Sequence, residues 1–131
     1  MTEGEGFAGL AGVEFLDGEG EDGARGRVAV CEHHLQPHGV VHGGVYATLS
    51  ESVCSHATAG AVSADGMVAI GQANQTTFLR PITGGHVNAE ARVQHRGRTT
   101  WVWAVELTDD EGRLCALTQM TVAIRQASRP D

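Results

Sequence analysis

The chain contains no lysine. All nine basic residues are arginine, set against sixteen acidic ones, for a net charge of −7. That balance disfavours generic binding to nucleic acid or to an anionic membrane, so any anionic ligand needs a local basic patch. The missing lysine also removes the group that a phosphate-cradling glycine loop requires, so "HGGVYAT", residues 42–48, is not such a loop. Cysteine is scarce. Cys31, Cys54 and Cys115 are odd in number, widely spaced and form no Cys-x-x-Cys pair, which argues against a disulfide framework or a structural zinc motif. They are expected to be reduced, half-buried thiols of a cytoplasmic protein. No apolar run approaches ~18 residues, and the N-terminus lacks the basic and apolar regions of a secretion signal, so neither export nor membrane spanning is expected. A Gly-x-Ser-x-Gly elbow is also missing, and Ser50, Ser52 and Ser55 lie inside a helical stretch. His33, His34, His38 and His42 lack zinc-motif spacing, so no metal or other cofactor is expected.

What is present fits one domain. With 131 residues and 41% apolar content, the chain can bury a single core. Residues 1–9 are expected to be a flexible N-terminus, 10–126 the folded domain and 127–131 a flexible tail. "DGEGEDG" reads as a solvated loop, and "ARGRVAVCE" as a strand alternating through Gly26, Val28 and Val30. "HHLQPHG" is a loop fixed by Pro37 and Gly39. A helix follows, closing before Gly60 or near Gly66.

Everything after residue 66 reads as β. "MVAIGQANQTTFLRP" is a long run. "HVNAEARVQHRG" alternates Val87, Ala89, Ala91 and Val93, and "TTWVWAVELTDD" places Trp101, Trp103, Val105 and Leu107 on one face. The tryptophans are expected to pack on the helix or a partner subunit, with an aromatic substrate wall as the alternative. "DDEG" turns into the returning strand "RLCALTQMTVAIR". The class is α+β: one helix laid on a curved antiparallel sheet.

The helix carries the functional signal. At 100° per residue, Val45, Leu49, Val53 and His56 share a stripe that should press on the sheet. Glu51 and Ser55 point elsewhere, with Gly44, Ala47 and Thr58. That second face has one carboxylate, no base and otherwise small residues, unlike an ordinary solvent face. It suits a partly dry interface as well as it suits a surface. Gly43 and Gly44 open the helix where N–H groups are unpaired, and their lack of side chain lets a ligand oxygen approach. Glu51 lies eight residues beyond Gly43, about 12 Å along the axis. If both serve one small carbonyl, two subunits must contribute.

The stretch "HLQPHGVVHGGVYATLSESVCSHA", with "TTFLRPITGG" and Gly97-Arg98-Thr99-Thr100 downstream, resembles the hotdog-fold acyl-CoA thioesterases of the phenylacetate-pathway and 4-hydroxybenzoyl-CoA group. The resemblance spans roughly residues 10–126. It implies a long central helix wrapped by a curved sheet, assembled as a dimer or tetramer. It further implies that Glu51 is the catalytic carboxylate and that the Gly43 amide of a neighbouring subunit polarises the thioester carbonyl. Gln36 would position the thioester, Ser55 would orient the carboxylate or its water, and His42 would be structural. Arg80, Arg98, Thr99 and Thr100 would meet the coenzyme A phosphates, joined by Arg125 or Arg129. The leading acyl guess is aryl or arylacetyl.

The residue types suit that chemistry. A glutamate at its ordinary pKa of ~4.3 is ionised at neutral pH and can attack the carbonyl or deprotonate a water. Both routes stay open, with a lean toward the nucleophile. Two other readings remain: a hydratase or dehydratase on the same fold, which normally needs a histidine–carboxylate pair, and a non-catalytic acyl-CoA-binding module.

Overall fold

The computed structural model describes residues 6–18, 20 and 22–127. Helix α1 (Phe7–Ala11) and strand β1 (Val13–Leu16) lead into β2 (Gly23–Ala29). A 3-10 turn at Glu32–His34 precedes α2 (Gly43–Val62). Four long strands follow: β3 (Met67–Phe78), β4 (His86–Arg96), β5 (Thr100–Thr108) and β6 (Leu114–Gln126). Residues 7–9, assigned from sequence to a flexible N-terminus, are wound into α1. The stretch 1–5 and the tail 128–131, Arg129 included, lie outside the described residues.

Helix α2 runs through Gly60 and continues as a 3-10 turn, Ser63–Asp65, which Gly66 closes with φ of 73°. Of the two expected ends, the later one is used, because that left-handed conformation suits glycine. All pairings are antiparallel, in the order β1-β2-β4-β5-β6-β3. Six strands spaced ~4.8 Å apart would span roughly 24 Å if flat. One helix touches all six, so the sheet curls around it. This is the hotdog arrangement that the sequence resemblance implies.

The period-2 pattern sets the core. Val87, Ala89 and Ala91 of β4 and Trp101, Trp103, Val105 and Leu107 of β5 are buried. Val93 is only partly buried, where the β4–β5 register shifts. The helix face differs from the expected stripe. Val45 is half-buried and His56 is exposed, its ring stacked 4.2 Å from Phe15. The buried stripe is Tyr46, Leu49, Ser50, Val53, Cys54, Thr58 and Val62. Thr58, expected beside Glu51, faces the sheet instead. Its hydroxyl donates to the Cys54 carbonyl at 2.7 Å and accepts the Trp103 Nε1–H at 2.9 Å. Hydrogen bonding of this kind offsets the cost of burying a hydroxyl and draws Trp103 to the core side, where Trp101 is buried too, its ring 6.2 Å away.

All three cysteines are free thiols, but none is half-buried as expected: Cys54 and Cys115 are buried and Cys31 is exposed. Burial pushes the Cys54 thiol far above its ordinary range. No helix among the described residues is long and apolar enough to cross a membrane.

Candidate active site

His42 is the N-cap of α2, and its Nδ1 accepts the Gly44 N–H at 2.9 Å. The Val45 N–H reaches the His42 carbonyl at 3.0 Å. Two of the amides at this helix start are therefore satisfied, while the Gly43 N–H has no acceptor among the described residues. An Nδ1 that accepts a hydrogen bond leaves the proton of a neutral imidazole on Nε2, so His42 acts here as a cap. Phe78 covers Gly43: a Cβ at that position would sit 2.7 Å from its ring. Only glycine fits beneath the phenyl group as it lies.

The loop before the helix is pinned at both ends. Leu35 bridges Val41, the Gln36 N–H donates to the Val40 carbonyl, and Gly39 turns with φ of 81°. The Gln36 carboxamide oxygen accepts the His38 N–H of its own loop. His34 is buried and bonded on both ring nitrogens, to the Cys31 N–H at 2.9 Å and the Ala11 carbonyl at 2.6 Å. It thereby ties α1 to this loop. Cys31, His33 and His34 cluster within 4.8 Å, but both His34 nitrogens already have protein partners, so the group does not make a ready metal site.

Glu51 stands on one side of a cavity of about 360 Å³ lined by Phe7, Ala47, Thr48, Ser52 and Asn74. It is the one ionisable group among the described residues of that lining. Its carboxylate lies over β3, where a Cβ on Gly71 would fall 3.1 Å from Cδ and Oε2. A β-bulge between Gly71 and Ala73 brings Asn74 round to the same side. The Asn74 Nδ2 donates to the Ala47 carbonyl at 2.9 Å. A second, apolar cavity of about 370 Å³ shares Phe7 and Thr48 with the first, and Leu10, Ala11, His33, His34, His42, Gly44 and Val45 complete its lining.

Within one chain these parts only partly converge. Ser55 is one turn beyond Glu51 on α2, and Ser52 is the serine that lines the cavity. Gly43 and Gln36 do not line it. Arg80, Arg98, Thr99 and Arg125 are all exposed and Thr100 is half-buried. The Arg125 guanidinium donates to the Thr99 carbonyl at 3.2 Å, so it joins the Arg98–Thr100 turn. The Arg80 N–H instead donates to the Cys115 carbonyl, at the other end of β6. Ten strand residues separate Cys115 from Arg125, about 33 Å.

Sequence reasoning missed Gly71 and Asn74. Both are residues that strands usually disfavour, and two such residues three apart in "GQAN" were the available signal.

Residues 38–116 match the family described as the thioesterase superfamily. Rv1847 of Mycobacterium tuberculosis, named as an esterase, is 40% identical over 111 residues, covering 83% of this chain and 79% of the relative. Its solved structure superposes with a TM-score of 0.86 at 39% identity, covering 95% of this chain and 98% of that one. The crystal structure of thioesterase HI1161 from Haemophilus influenzae gives 0.88 at 28% identity, covering 95% and 85%. The proofreading thioesterase EntH of Klebsiella pneumoniae is 33% identical over 89 residues, 68% of this chain and 64% of EntH. The chain thus belongs to the thioesterase superfamily, a family of hotdog-fold thioester hydrolases.

Proposed function

We propose that this protein hydrolyses an acyl-CoA thioester, aryl or arylacetyl, to the carboxylic acid and free coenzyme A. The observation that carries the reading is Glu51, the single ionisable group among the described residues of a cavity otherwise lined by small, polar and aromatic side chains. Its acyl pocket continues into the apolar cavity that shares Phe7 and Thr48. Each volume is in the range of small-molecule sites. Among the described residues no histidine lines the Glu51 cavity, and in the adjoining one His34 is bonded on both ring nitrogens and His42 caps α2, which favours hydrolysis over a hydratase that needs an acid–base pair.

The reaction centre is built across two protomers. Glu51 comes from one, and the Gly43 N–H at the partner's helix start donates to the developing oxyanion, with Gln36 positioning the thioester. Losing such a donor typically costs about 2.7–4 kcal/mol of barrier lowering. Arg80 and the Thr99–Thr100–Arg125 group also serve one nucleotide only if a subunit boundary brings the two ends together. Strand β3 supports that assembly: it is a twelve-residue edge strand with no charged residue and no proline. Interrupted only by the bulge at Gly71–Ala73, an edge of that length is a template for pairing with a second copy, giving a dimer or, from dimers, a tetramer.

Mixed oligomers test this arrangement. Glu51→Gln removes the acid, and Gly43→Pro removes the amide at the first helical position, where the proline backbone is tolerated once the exposed Phe78 ring swings clear of the added Cβ. Each parent should be inactive in a thiol-release assay with acetyl-, octanoyl- and benzoyl-CoA. Equal random mixing should restore about a quarter of wild-type turnover, since half of the dimers are mixed and each mixed dimer holds one intact site. No recovery refutes the shared site. Binding without thiol release by the wild type refutes the enzyme reading.

A further inference from the structure

Three hydroxyls and one amide form an unbroken chain inside the sheet. Ser50 of α2 is fully buried, and its hydroxyl donates to Thr118 Oγ1 of β6 at 3.0 Å. Thr118 lies 2.9 Å from Thr76 Oγ1, its direct cross-strand partner on β3. Thr76 gives its one proton to Asn74 Oδ1, at 2.7 Å. The Thr118 proton therefore goes to Thr76, and the whole chain runs one way: Ser50 to Thr118 to Thr76 to Asn74.

That chain fixes the Asn74 carboxamide. Its oxygen is held by Thr76, and one Nδ2 proton goes to the Ala47 carbonyl. A flipped amide would set oxygen against oxygen, so one orientation wins. The second Nδ2 proton has no acceptor among the described residues, and the side chain lines the Glu51 cavity. Position within the helix makes this pointed. In an α-helix the carbonyl of residue 47 accepts the amide of residue 51, so Asn74 is anchored on the carbonyl that Glu51 itself uses. Helical side chains also lean back over the preceding turn, which carries the Glu51 carboxylate toward Asn74. Valine in place of the threonines would fill this space without burying a hydroxyl. Hydroxyls here need the full chain to be satisfied, and what the chain supplies is an immobile N–H donor.

We infer that Asn74 holds the attacking water against Glu51, which makes Glu51 a general base. This rests on the thioesterase reading above and goes further, since it decides between the two roles that the sequence leaves open. The water accepts the Asn74 N–H and donates to the Glu51 carboxylate. Its oxygen adds to the thioester carbonyl carbon as Glu51 takes the proton. The tetrahedral intermediate then breaks its C–S bond, and the sulfur takes the proton from Glu51. One water is consumed, one acid and one thiol form, and the carboxylate is regenerated. Thr76 is a positioning residue acting through Asn74.

The test uses the same three acyl-CoA probes. Asn74→Leu should lower kcat about 100-fold, the loss expected for one preorganised donor, while KM moves little. Thr76→Val should lower kcat by a smaller factor, and Thr76→Ser should restore it. A single turnover in 18O-water, with enzyme in excess, should label the released acid and leave the Glu51 peptide unlabelled. Label in Glu51 overturns the inference, because it shows the carboxylate bonded to the acyl group. A stably folded Asn74→Leu protein with wild-type kcat overturns it too. Should Asn74→Leu fail to fold, Thr76→Val against Thr76→Ser decides the matter, and label in Glu51 still overturns the inference. A wild type that releases no thiol from any probe refutes the thioesterase reading itself, a result distinct from a working enzyme indifferent to Asn74.

Discussion

Adding one methyl group to Gly71 should separate the reaction from the stability of the fold. A Cβ there falls 3.0 Å from Met120 Cε and 3.1 Å from the Glu51 carboxylate, whereas comfortable carbon contacts lie at about 3.5–4.0 Å. Something must retreat by roughly half an ångström. Met120 is fully buried, while Glu51 is exposed, so most of the displacement falls on the carboxylate. A misplacement of about 1 Å costs up to ~100-fold in rate, so half of that is on the order of tenfold in kcat. Stability changes less. Overpacking costs about 1–3 kcal/mol, and removing glycine's freedom from the unfolded chain returns about 0.4–1 kcal/mol. The net is near 1 kcal/mol, or about 3–5 °C of Tm for a domain of this size. Gly71→Val should be worse in both respects, with its larger effect on kcat. Steady-state thiol release beside a thermal melt measures the two together. A Gly71→Val protein with unchanged kcat and unchanged Tm would show that the glycine gives Glu51 no room it needs.

Thr58→Val should strand the Trp103 Nε1–H in the core and cost about 1–3 kcal/mol in denaturant unfolding, with Thr58→Ser recovering most of it. His42→Ala removes the helix cap at a cost of about 1 kcal/mol. His42→Asn should retain both the cap and the order of magnitude of kcat, and a dead but stable His42→Asn enzyme would make the imidazole a proton carrier instead. Burial alone would raise the Asp109 carboxyl, but the Arg113 and Glu111 amides and the Arg113 guanidinium outweigh it and hold it below the usual carboxylate range. A group lowered on folding stabilises fully above its unfolded value, near ~3.9, and loses that contribution as pH falls through its folded value. Asp109→Asn should therefore flatten the acid limb of a Tm–pH profile, and an identical acid slope in the variant counts against the argument.

Strands were readable because their side-chain period is two and the buried face repeats it, as at Trp101, Trp103, Val105 and Leu107. The helix start was readable from His42-Gly43-Gly44. Its rotation was not, because apolar spacing ignores what hydrogen bonds can bury. Ser50 and Thr58 turn inward since Thr118 and Trp103 meet them, and His56 turns outward to stack on Phe15. Glu51 stood out as an isolated carboxylate, but Gly71 and Asn74 did not. Their place beside it depends on a bulge and a register that only the pairing of β3 with β6 defines. Helix α1 escaped notice because five residues between glycines give no periodicity, and His34 rather than helix propensity ties it to the body.

The uncharged strand β3 has its backbone edge turned outward and Gly71 and Asn74 turned toward the helix. In the proposed dimer, pairing and chemistry would thus use the backbone edge and the inner face of the same twelve residues. A slip in how two copies meet would carry the partner's Gly43 away from Glu51, so an assembly fault and a catalytic fault would be a single event. Under the proposed division of the site across that edge, dilution that parts the protomers should silence every site at once, and a lone chain would have no means of being active.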